Sequence, residues 1–178
     1  MKNFKTTVII VVIALYSQFA NSQTTSKAAN LPRSFKMGLN RAFGEYIELK
    51  DALLQKDIKK ANHEAKELLD AANAIKTDSL TKDQQSEFNK YIGKVTLNAQ
   101  HISEATNLPH QLEHFDYTSD AIYALMKYFK PTDKTLYYNF CPMANKGDGA
   151  HWVSDKKDLN NPYMAGSIMG CEKQQDKF

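Results

Sequence analysis

Two cysteines in 178 residues are too few for a disulfide-dense scaffold. They suffice for one bridge or one thiolate pair. An excess of one charge is also missing. The formal net charge is +3, and Lys2 and Lys5 at the extreme N-terminus account for two of those charges, leaving about +1 downstream. Nucleic-acid binding through a basic surface therefore has no support. No apolar run reaches the roughly 18–20 residues that span a bilayer. There is no internal repeat, no Gly-rich phosphate loop, no G-x-S-x-G elbow and no H-E-x-x-H. No nucleophile, base and orienter can be grouped either: Ser119 and Ser154 are single hydroxyls that read as caps or turn residues, so the chain is not read as an enzyme. What remains is 42% hydrophobic and 24% charged, enough for one domain to pack a core without metal or disulfide.

The N-terminus reads as an export signal over residues 1–22. Lys2 and Lys5 precede a short apolar run, Val8 to Leu15, and Ala20-Asn21-Ser22 offers small residues for cleavage before Gln23. The mature chain is thus expected to be periplasmic or secreted, with no membrane span after cleavage, in a compartment where disulfides are allowed. Residues 23–34 read as a flexible lead-in.

The rest, residues 35–178, is expected to form an all-α domain: an antiparallel four-helix bundle with a loop-rich C-terminal cap at 131–172. Apolar residues from Phe35 to Gln55 recur every three or four positions, among them Met37, Leu39, Phe43, Tyr46 and Leu53. Asp57 is an N-cap for a second helix reaching Ala74. Thr81 with Gln84 three residues on predicts a capping box for a third, which runs to about Asn107 and buries Phe88, Val95, Leu97 and Ile102. Pro109 suits the first turn of a fourth, which stops before Pro131. Beyond Pro131 the period is lost and Gly, Pro, Asn and Asp punctuate the chain, with Leu136 to Phe140 as one short strand and Trp152 pinning the cap.

Both cysteines lie in that cap, each two residues from a methionine: Cys141-x-Met143 and Met169-x-Cys171. Thiolates and thioethers are the soft ligands of Cu(I) and Ag(I), and residues two apart in an extended segment face one way. Zn(II) fits less well, needing Cys141, Cys171 and one or two imidazoles. The competing reading is a Cys141–Cys171 disulfide, with the methionines as core filler. His101 and His114 fall near apolar faces of the third and fourth helices and could meet across the bundle. His151, beside Trp152, is a further candidate ligand. His110, at a helix start, reads as solvated, and each of these histidines has an ordinary reading as a hydrogen-bonded side chain.

Tyr46 to Ala61, His101-Ile102, Gln111 with His114-Phe115, Cys141-Pro142-Met143-Ala144, Trp152-Val153-Ser154 and Asn161-Pro162-Tyr163 together resemble the DUF3347 domain, over about Phe43 to Cys171. Leu112, Asn160, Met164-Ala165 and Glu172 depart from its pattern. That domain occurs alone in exported proteins and fused to copper and silver efflux adaptors of the CusB type. The resemblance implies copper handling, with a periplasmic efflux or copper-handling protein as partner. Two functions result. One is an exported soft-metal (copper/silver) binding protein, acting as buffer, chaperone or efflux-associated domain. The other is a disulfide-stapled structural or interaction module that docks on an envelope transporter or partner protein without metal.

Overall fold

The computed structural model describes residues 30–157, 160–165 and 170–178. The expected export signal, most of the lead-in and Met169 lie outside these residues. Helices α1 (Arg33–Leu54), α2 (Ile58–Asn73), α3 (Lys82–Glu104) and α4 (Leu108–Phe129) form most of the described chain. Their ends follow local chemistry. The Asp57 carboxylate accepts from Lys60 N–H at the start of α2, and Thr81 and Gln84 form a reciprocal capping box at the start of α3. Asn107 caps α4, whose first turn holds Pro109, and Lys130 ends it with φ at +43°.

Consecutive helices pack on one another, and α4 also packs on the cap. Phe35, Leu39, Tyr46, Leu49 and Leu53 of α1 are fully buried, as are the small residues Ala61 and Ala65 of α2, the helix that packs on it. Phe35 lies edge-on to Phe88 and Phe129, with centroids at 5.4 and 4.9 Å, joining α1, α3 and α4. Each such side chain contributes about 1.5–3 kcal/mol by leaving water. Met37 and Leu97, expected inside, are exposed: at about 100° per residue each falls on the side of its helix away from the buried positions, so apolar character alone placed them in the core and the helical period does not. Among the described residues no helix is long and apolar enough to cross a membrane.

The cap departs from the loop-rich, all-α expectation. Strands β1 (Tyr137–Cys141), β2 (Ala150–Ser154) and β3 (Lys173–Lys177) form an antiparallel sheet in the order β2-β1-β3. Asn139 pairs with Trp152 in β2 and with Gln174 in β3. The strand expected at Leu136 to Phe140 is present one residue later. Its partners lacked a readable pattern: β3 is Lys-Gln-Gln-Asp-Lys, a strand only because β1 offers it an edge.

Three ties hold the cap to the helices. Val153 N–H donates to the Tyr46 hydroxyl, which donates to Ser119 Oγ, which donates to Phe115 O, at 2.9, 2.8 and 2.8 Å. Asp116 accepts from His151 N–H at 2.7 Å. Asp176 of β3 accepts from Lys127 and from the Tyr123 hydroxyl, each at 2.7 Å.

Candidate metal site

The three-residue connection between α3 and α4, residues 105–107, folds the last turn of one helix beside the first turns of the next. His101 lies in the final turn of α3. His110, whose N–H is capped by Asn107 at 3.0 Å, and His114 lie one turn apart on α4. The three imidazoles thereby converge, and one ligand atom from each lies within 4.8 Å of the others. The His101 and His114 rings are stacked, with centroids 4.4 Å apart and planes 3° from parallel. His110 stands edge-on to His114, with centroids at 4.5 Å. His101 is exposed and the other two are half-buried, so solvent reaches the group from one side.

One ring is held by a buried neighbour. His114 Nδ1 lies 2.8 Å from Asn98 Oδ1, and Asn98 Nδ2 donates to Lys94 O at 2.8 Å. That second bond fixes which end of the amide is the acceptor, so Nδ1 carries the proton and Nε2 keeps its lone pair. Burial lowers the His114 pKa, and positive charge on His101 and on His110 lowers it further, against an opposing pull from Glu113. Near neutral pH His114 is therefore the uncharged imidazole that a metal requires.

Nitrogen ligands lie about 2.0–2.1 Å from such an ion. The rings need to close by roughly an ångström or two and slide out of the stack to reach it. Side-chain rotation supplies that movement, since the exposed His101 ring has room to turn. Three imidazoles without a carboxylate or thiolate suit zinc, copper or nickel, and leave a fourth position open.

The expected sulfur ligands present a different state. Cys141 and Cys171 are joined, with Sγ atoms 2.04 Å apart, and both are buried. A disulfide sulfur offers no thiolate, so the bonded pair does not fit a Cu(I) or Ag(I) site. Met143 follows on the surface, 48% exposed. Asn161 Nδ2 donates to Cys171 Sγ at 3.4 Å, and Asn161 Oδ1 accepts from Tyr163 N–H at 2.9 Å, capping the short turn Pro162–Met164. The structure thus brings His101 and His114 together and leaves the cysteines bonded to each other.

His151 belongs to neither group. It sits against Asp116 and Asp120, with Nδ1 at 3.6 and 3.4 Å from their carboxylates, and stacks on Tyr138 at 4.9 Å. Asp116 is two positions beyond His114, hence on another face of α4. These carboxylates have internal partners, His151 N–H and the Tyr138 hydroxyl, and they dock the cap. His110, read from sequence as solvated, is a full member of the trio. Its i, i+4 relation to His114 was the available signal, hidden by its place at a helix start.

A family model described as "Protein of unknown function (DUF3347)" matches residues 42–134. That span contains all three histidines and Asn98 and ends before Cys141. No curated protein and no solved structure matches the chain.

Proposed function

Since the chain belongs to the DUF3347 family, whose description assigns no activity, its function has to be argued from its own side chains, and we propose that it is an exported protein that binds a transition-metal ion through His101, His110 and His114. The observation that carries this reading is the convergence of three imidazoles from two helices, one of them oriented by a buried amide. Such a donor set binds divalent copper more tightly than zinc or nickel. Copper is also what the resemblance to efflux-associated domains implies. The solvent-facing side and the open coordination position suit a buffer or chaperone that exchanges its ion, and binding rather than catalysis is the role proposed. Export rests on the N-terminal pattern, and the Cys141–Cys171 bond accords with an oxidising compartment. We also read the four helices as an antiparallel bundle, on the strength of the connections at residues 55–57, 74–81 and 105–107.

The test is a competition titration of the mature, oxidised protein with Cu(II) and with Zn(II) against a chromophoric chelator. One equivalent is expected to bind. His114→Ala and the triple His→Ala variant are expected to lose at least the 10–100-fold that removal of an outer-shell partner costs. Binding that survives the triple variant sinks the proposal.

A second reading rests on the buried disulfide itself: a stapled module that docks on an envelope protein without metal. In that case the oxidised chain binds neither ion. A soft site of Cys141, Met143, Met169 and Cys171 then remains to be sought by Cu(I) titration after reduction.

A further inference from the structure

We infer that Asn98 is the positioning residue of this site, the group that holds His114 in the Nδ1–H tautomer and so presents Nε2 as the fixed lone pair on which a metal ion first lands. The inference rests on the metal-binding reading above but is separable from it. Asn98 is 8% exposed on α3, one turn before the exposed His101. Its amide is used at both ends: Nδ2 to Lys94 O within its own helix, and Oδ1 to His114 Nδ1 across to α4. A buried carboxamide so anchored cannot flip without leaving two polar atoms unpaired. The acceptor therefore faces His114 permanently.

The other two rings lack this constraint. His101 is exposed and joined to the group by stacking, and His110 by an edge contact. Either can turn or exchange tautomer at little cost. Their roles consequently differ: His114 is the preset ligand, while His101 and His110 close on an ion already held. Metal-bound imidazoles ordinarily donate their second N–H to an oxygen that sets tautomer and basicity. Here that oxygen is in place before any ion arrives. Of the described histidines, His114 is the one with both a side-chain oxygen on Nδ1 and two imidazoles within ring contact.

The experiment uses the full mature chain labelled with 15N at histidine, and Zn(II) alone as the probe. Nitrogen shifts of metal-free protein report the His114 tautomer; competition with a chelator reports affinity. The wild type is expected to show Nδ1–H. In Asn98→Leu, Nε2–H is expected to become the major form, and Zn(II) affinity is expected to fall 10–100-fold. Asn98→Asp keeps an oxygen acceptor, so it is expected to retain Nδ1–H and to bind within tenfold of wild type. If Asn98→Leu fails to fold, the Asp variant decides alone, and Nε2–H in it overturns the inference. Unchanged tautomer and affinity in a folded Leu variant also overturn it. A wild type that binds no Zn(II) here and no Cu(II) in the competition titration above, yet switches tautomer on Asn98→Leu, would uphold the positioning role and defeat the metal-binding reading.

Discussion

The Tyr46 hydroxyl sits where cap and helices meet, and it has no spare capacity. It accepts from Val153 N–H and donates to Ser119, and burial pushes its phenol well above its ordinary pKa. Tyr46→Phe is expected to cost about 1–3 kcal/mol, because a buried N–H loses its acceptor while the ring still fills its place. Urea unfolding should show a lower midpoint at unchanged m-value. His114 makes a prediction of opposite origin. Its folded pKa lies below its unfolded value, so the unfolded chain takes up a proton first as pH falls. Its contribution to stability is fully present above about pH 6.5, the unpaired imidazole value, and is lost as acid titrates below it. Thermal unfolding at pH 8 and pH 5 should differ more in wild type than in His114→Gln. At this scale the sequence disclosed residue types but not companions. His101 and His114 were legible as possible neighbours from their places on two helix faces, whereas Asn98 gave no sign, because a buried amide and a surface amide look alike in a one-dimensional string.

Among the elements, α4 begins with the most consequential turn. Asn107 caps it, and the capped N–H belongs to His110. Asn107→Ala is expected to cost about 0.5–2 kcal/mol. Because fraying there loosens His110, Zn(II) affinity should fall with thermal stability, whereas Asp57→Ala at the start of α2 should lower stability alone. The helices were readable because their determinants are local: Asp57, Thr81 with Gln84, and Pro109 each act on residues within one turn. The sheet was not. Strand β3 carries no apolar alternation, and β2 pairs with β1 through contacts that no short window contains. Leu136 and Phe178 exchange both backbone hydrogen bonds beside that sheet, although 42 positions separate them in the sequence.

For the molecule as a whole, the Cys141–Cys171 bond closes a loop with a sequence separation of 30. A cross-link of that span is worth about 3–4 kcal/mol through the unfolded chain. Cys141→Ser with Cys171→Ser is therefore expected to lower the unfolding free energy by about that amount. Zn(II) affinity of the still-folded protein should stay unchanged, since the cap supplies none of the three imidazoles. A parallel loss of affinity would mean that cap and trio act as one unit. The cysteine pair itself was half-legible: two cysteines in a chain read as exported permit either a bond or a ligand set, both of which bring the sulfurs together, and only the Cys141–Cys171 bond itself distinguishes them.

The trio is also compact in sequence, all of it falling between residues 101 and 114. A cage assembled from distant segments exists only after folding, and its ion then acts as a lock on the whole domain. A cage drawn from one helical hairpin keeps part of its grip on the denatured polypeptide, and this weakens the lock. An ion bound as proposed should thus raise the melting temperature by less than its affinity for the native protein implies. On the proposed reading, capture does not wait for the cap, which supplies none of the three imidazoles.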